Sequence, residues 1–208
     1  SKVSAVASVT SAAGVAEVTV YCKLRIAIIS TGDELKSLDE ELEYGQIYES
    51  NSYGLSALVQ LYGHEAIRFP SVVDDVDTLR AVLNKASAEY DCIITSGGVS
   101  MGDRDFVRIL MEQEGDIKFW RVKMRPGSPP IFGTWNNTPI FGLPGNPVSA
   151  MVCGKIFLTP VIRALQGLPK EAAPRLRAKL SHPIAQNGGR EHYMRAVYEN
   201  GMVRIFER

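Results

Sequence analysis

Three times between Arg25 and Met111, a short run rich in β-branched residues gives way to a loop and then to apolar residues at helical spacing. Arg25-Ile-Ala-Ile-Ile-Ser30 runs into Thr-Gly-Asp. Beyond an acidic loop, Leu55, Leu58, Val59 and Tyr62 recur at i, i+3, i+4 and i+7, with Asn51 as the expected cap and Gly63 as the stop. Glu65 to Val73 alternates as a second strand. Asp74 or Asp75 can cap the next helix, which carries Val76, Leu79, Val82, Leu83 and Ala86 on one face. Asp91-Cys-Ile-Ile-Thr95 is a third strand, and a helix with Phe106, Val107, Leu110 and Met111 follows. Strands this apolar are buried on both faces, and parallel neighbours need helical crossovers. The expected fold class is therefore α/β, a doubly wound, mostly parallel sheet with helices on both faces.

Later segments are shorter. Strand-like runs at Ile117–Met124, Pro130–Trp135 and Pro139–Phe141 are separated by Pro/Gly turns. A helix from about Pro147 carries Val148, Met151, Val152, Lys155 and Ile156, and Pro160 is expected to kink its end. Pro169 to Pro174 reads as a linker, and an Asn200-Gly201 hairpin signal suggests a small C-terminal β module. The expected organisation is a lead-in at 1–24 (the remnant of a preceding domain), an α/β domain at 25–168 and a partial β domain at 169–208. No stretch approaches the roughly 20 apolar residues of a membrane span.

The formal net charge of zero argues against nucleic acid, which demands a basic surface. Cys22, Cys92 and Cys153 form no CxxC pair, so a zinc site is not expected. Unpaired thiols fit a reducing, cytoplasmic setting. His64, His182 and His192 share no ligand spacing, and Trp120 and Trp135 read as packing residues.

In open α/β sheets, ligands sit outside the carboxyl ends of the strands. The loops expected there are unusual. Ser30-Thr-Gly-Asp-Glu34 puts carboxylates at a strand end. Thr95 to Asp105 holds three glycines, two serines and two aspartates, and Gly97 and Gly98 suit a backbone N–H nest for an anion. Ser96 and Ser100 add hydroxyls. The loop is neither GxGxxG nor a Walker loop, which disfavours dinucleotides and ordinary nucleoside triphosphatases. Met124-Arg-Pro-Gly-Ser-Pro-Pro130 presents Arg125 and Ser128, and in Phe141 to Ser149 the residues Asn146 and Ser149 can reach an anion.

Five motifs, 30–35 (STGDEL), 45–51 (GQIYESN), 96–102 (SGGVSMG), 125–129 (RPGSP) and 143–149 (LPGNPVS), stand in an order that resembles the molybdopterin molybdotransferase, or molybdenum insertase, family of bacterial MoeA and the gephyrin E domain. The resemblance covers Val15 to Gln166 well. It implies a homodimeric enzyme that inserts molybdenum from molybdate into adenylated molybdopterin and releases AMP with the help of Mg2+. By motif position it makes Glu34, Asp74 and Asp105 catalytic acids. It implies substrate contacts from Thr31, Gly32, Ser96, Gly97, Gly98, Ser100, Arg125, Pro126, Ser128, Asn146, Ser149 and Arg190, and metal contacts from Asp105 and Glu49.

The chain departs from the family pattern at Glu49, where aspartate is common, and at Arg125 and Ser128, where lysines are common. Ser128 removes a charge, and an arginine forks where a lysine offers a point charge. The alternative to catalysis is a pterin- or nucleotide-binding, or scaffolding, module of the same family.

Overall fold

The computed structural model describes residues 9–100, 102, 105–168, 175–185 and 188–206. Met101, Asp103 and Arg104 of the glycine-rich loop lie outside them, as do the 169–174 linker and residues 1–8.

Six strands make the central sheet: β1 (Arg25–Ser30), β4 (Glu65–Arg68), β5 (Cys92–Ser96), β6 (Asp116–Trp120), β8 (Ile131–Trp135) and β9 (Thr138–Leu143). Their order is β4-β1-β5-β9-β8-β6. The first four run parallel, while β8 pairs antiparallel with β9 and with β6. The short strands β2 (Leu35–Lys36) and β3 (Ile47–Tyr48) pair with each other beside the sheet.

Alternation along β1 explains the two layers. Ala27 and Ile29 face one core with Leu79, Leu83 and Ala86 of helix α2 (Val76–Glu89) and Val107, Leu110 and Met111 of α3 (Phe106–Gln113). Ile26 and Ile28 face the other, with Leu55 and Val59 of α1 (Asn51–Leu61) and Ala150, Cys153, Leu158 and Ile162 of α4, the continuous helix Pro147–Leu165. Fully burying one such aliphatic side chain is worth about 1.5–3 kcal/mol, so the period-2 pattern fixes the strand faces. The doubly wound sheet expected from the alternation is present.

Several local expectations change. The second strand ends at Arg68, because Pro70 has no N–H for the ladder; Val72 then bridges Thr31 alone. Pro160 lies inside α4 and does not end it. Instead Gly154–Leu158 forms a π turn just ahead of it, a common way to absorb a missing i→i−4 bond, and the helix continues to Leu165. By length and composition alone Pro147–Leu165 is apolar enough to cross a membrane, contrary to the sequence expectation. Its Ala150, Cys153, Leu158 and Ile162 nevertheless pack in the core beneath the sheet. The β8–β9 connection is a two-residue turn, with Asn136 and Asn137 at φ +47° and +67°, as a tight hairpin requires.

In the C-terminal segment β10 (Lys179–Leu180), β13 (Met202–Ile205) and β12 (Ala196–Glu199) form a three-stranded sheet, turned at Asn200-Gly201 as expected. The two-residue strand β11 (Glu191–His192) pairs instead with β7 (Met124–Arg125) of the main domain. In the lead-in, residues 9–12 form one helical turn.

Candidate functional site

From β1 the chain crosses by α1 to β4 on one side, and from β4 by α2 to β5 on the other. The strand order therefore reverses at β1, and the loops leaving β1 and β5 diverge around a crevice. A cleft of about 550 Å³ lies there, lined by Thr31, Gly32 and Glu34 after β1, by residues 96–100, Gly102 and Asp105 after β5, by residues 47–51, and by Asp74, Pro129, Pro144, Gly145 and Pro147. This is the size of a small-molecule site.

The floor is built by close backbone approach. A Cβ on Gly97 (φ +98°) would lie 2.5 Å from the Thr31 carbonyl oxygen. One on Gly98 (φ +64°) would crowd Val107 and Thr31 at 3.1–3.2 Å. Thr31 N–H donates to the Ser96 carbonyl at 2.9 Å, tying the two loops together. The Gly97 N–H, expected in the anion nest, donates instead to Leu143 O at 3.0 Å. Among the described residues nothing accepts from the N–H groups of Gly98, Val99 or Ser100, which leaves these three for a ligand. Trp120, expected only to pack, also pins the loop: its Nε1–H donates to Val99 O at 3.2 Å.

Four acids line the cleft: Glu34, Glu49, Asp74 and Asp105. Asp75, not Asp74, caps α2, accepting from Thr78 N–H at 2.7 Å, and Asp74 lines the cleft. Asp105 stands at the N-cap of α3 but does not cap it; its Oδ2 accepts from Gly102 N–H across the loop. The Glu34 carboxylate lies over Gly32, where a Cβ would come within 2.5 Å of Oε2. Glu49 is buried and already occupied: Oε1 accepts from Ser30 Oγ at 2.9 Å and Ser52 N–H at 2.7 Å, and Oε2 from Ser52 Oγ at 2.5 Å. It anchors β1 to the start of α1. No Lys, Arg or His is among the described residues that line the cleft.

The remaining expected contacts, at Arg125, Pro126, Ser128, Asn146, Ser149 and Arg190, do not line the cleft. Residues 125–128 form a turn with a cis Arg125–Pro126 bond, and Gly127 packs against Cys153 and Ser149 on the first turns of α4. The parallel β7–β11 pairing sets His192 opposite Arg125, while Arg190 precedes β11 at the other end of the ladder, where Glu191 N–H donates to Lys123 O at 2.8 Å. Gly127 and Ser149 thus meet, each two residues from a proline of the cleft rim, Pro129 and Pro147 respectively. The Ser128 hydroxyl donates to Val122 O at 3.1 Å. Asn146, expected to reach an anion, caps α4: its Oδ1 accepts from Val148 N–H and Ser149 N–H at 3.1 and 3.2 Å. That helix terminus is satisfied from within.

Sequence reasoning missed Asn51 as a site residue. It does not cap α1; its Nδ2 donates to Ser96 Oγ and to Gly145 O, both at 2.7 Å. Partners 45 and 94 residues away leave no local signal.

Residues 27–164 match the model of the probable molybdopterin binding domain. The chain belongs to this molybdopterin-binding family. Among its relatives, a molybdopterin molybdenumtransferase of Nostoc sp. is 44% identical over 86% of this chain and 42% of its own length. Molybdopterin molybdenumtransferase 2 of Mycobacterium tuberculosis is 38% identical over 94% and 50%. Gephyrin of Dictyostelium discoideum is 34% identical over 84% and 29%. A molybdopterin biosynthesis MoeA protein from Pyrococcus horikoshii superposes with TM-score 0.83 at 28% identity, covering 97% of this chain and 49% of that one. The chain spans about half the length or less of these relatives. The family resemblance read from the five motifs holds, and all five fall within residues 27–164.

Proposed function

We propose that this chain is the substrate-binding part of a molybdopterin molybdenumtransferase, and that its cleft holds adenylated molybdopterin by the phosphates while molybdenum is inserted from molybdate. The observation that carries the reading is the meeting of three N–H groups without an acceptor among the described residues (Gly98, Val99, Ser100) with the carboxylates of Glu34, Asp74 and Asp105 in one cleft of a molybdopterin-binding family member. A nest of N–H groups suits a phosphate, yet carboxylates beside a phosphate repel it unless a cation stands between them.

Magnesium fits that donor set. No three His, Cys, Asp or Glu side chains converge on a cation site among the described residues. Magnesium needs no such cage, since it binds through one or two carboxylates together with substrate phosphates and water. Asp105, with Asp74 or Glu34, would hold it. Bound there, it would neutralise the charge that grows on the phosphate leaving as AMP. Glu49, with its oxygens taken, is assigned to the scaffold. Arg125, Ser149 and Arg190 are the proposed molybdate contacts, because an oxyanion needs donors and cations outside the acid-lined cleft. A homodimer and a cytoplasmic location complete the proposal.

The test is single-turnover AMP release in the full-length protein. Asp105→Asn is expected to bind adenylated molybdopterin within a few-fold of the parent and to release AMP at least about 100-fold more slowly, the scale of losing a charge-stabilising group. AMP release at the parent rate across magnesium concentrations would reduce Asp105 to a loop-fastening residue.

A further inference from the structure

We infer that Asn51 is a positioning residue that makes the Ser96 hydroxyl a dedicated hydrogen-bond donor toward the phosphate; this rests on the phosphate reading above. A backbone carbonyl can only accept, so the Asn51 side-chain atom 2.7 Å from Gly145 O is the amide nitrogen. The same nitrogen lies 2.7 Å from Ser96 Oγ, which must therefore accept its other hydrogen. That leaves Ser96 its own O–H. Among the described residues no group accepts it, although Ser96 is only 2% exposed and lines the cleft beside the Gly97–Gly98 turn.

An unconstrained serine hydroxyl is ambivalent, able to meet an N–H as acceptor or an anion as donor. With one Oγ lone pair engaged by Asn51 and its hydrogen without an acceptor among the described residues, the hydroxyl is poised to donate, which is what an anion requires. The Asn51 Oδ1 supports this account. It is buried with no partner among the described residues, a condition that costs free energy and that a purely structural asparagine avoids. The side chain is held for its nitrogen. Through the bond to Gly145 it also fixes the loop before α4 against the loop after β5.

The test is a titration of AMP with magnesium into the parent chain, Ser96→Ala, Asn51→Asp and the double variant, with a thermal melt of each. Asn51→Asp is isosteric but replaces the donor with a carboxylate that captures the Ser96 O–H. Ser96→Ala is expected to weaken binding about tenfold in the parent and to change nothing once Asn51 is Asp. If Asn51→Asp does not fold, Asn51→Ala serves in its place, and Ser96→Ala should then weaken binding less than in the parent. An equal loss from Ser96→Ala in every background would overturn the inference while leaving the phosphate site standing. A parent chain that does not bind AMP with magnesium would overturn both.

Discussion

A Cβ placed on Gly97 would stand 2.5 Å from the carbonyl oxygen of Thr31, so the two loops that frame the cleft meet where only a glycine fits. The φ of +98° at Gly97 is itself unfavourable for any L side chain. Gly97→Ala should therefore lower stability by about 1–3 kcal/mol and separate the loops. Urea unfolding checks the first effect and AMP titration the second. An alanine variant with parent-like values for both would mean the loops tolerate separation.

Asp74 and Asp75 are neighbours with opposite assignments. Asp75→Ala removes the cap of α2 and should lower stability while leaving ligand binding unchanged. Asp74→Ala should weaken magnesium-dependent binding, which Asp75→Ala does not. Paired thermal melts and titrations separate the two, and a swap of the two phenotypes would refute the division.

How much of this was legible in the sequence follows from the range of each interaction. The faces of β1, α1 and α2 were readable because burial repeats at periods 2 and 3.6 within one element. The convergence of Thr31, Gly97 and Asp105 followed from their positions after parallel strands. Other features depend on partners remote in the chain: Asn51 on Ser96 and Gly145, Trp120 on Val99, and Gly97 N–H on Leu143. Asn146 and Glu49 carried short-range signals, but a cap and a ligand contact use the same residue types. Only the geometry distinguishes them.

His64 gives the fold a pH dependence. Burial, and secondarily the nearby Lys23, lower its pKa from the usual 6.5, and its Nδ1 accepts from Leu24 N–H at 3.4 Å only while unprotonated. The unfolded chain takes up a proton near pH 6.5 and the folded chain only below it. This contribution to stability is complete above the unfolded value and declines as pH falls toward the folded one. Urea midpoints measured across this range should drop for the parent and drop less for His64→Gln. Parallel slopes would remove His64 from the account.

The three thiols should differ in reactivity. Burial pushes Cys92 and Cys153 up to about 12, while Cys22 is exposed. Reactivity follows the thiolate, so an alkylating reagent at neutral pH should label Cys22 alone in the native protein and all three after denaturation. Peptide mass mapping reads this directly. Rapid native labelling of Cys153 would show that its contact with the Gly127 turn opens.

The central claim is that the acid-lined cleft holds phosphate through the 98–100 N–H groups with magnesium between phosphate and carboxylates. Calorimetric titration of adenylated molybdopterin, with and without magnesium, tests it most directly. The account predicts an affinity at least about tenfold weaker in chelator than with magnesium, one tenfold step being about 1.4 kcal/mol, and a magnesium effect that shrinks in Asp105→Asn. Equal or tighter binding in chelator would contradict it.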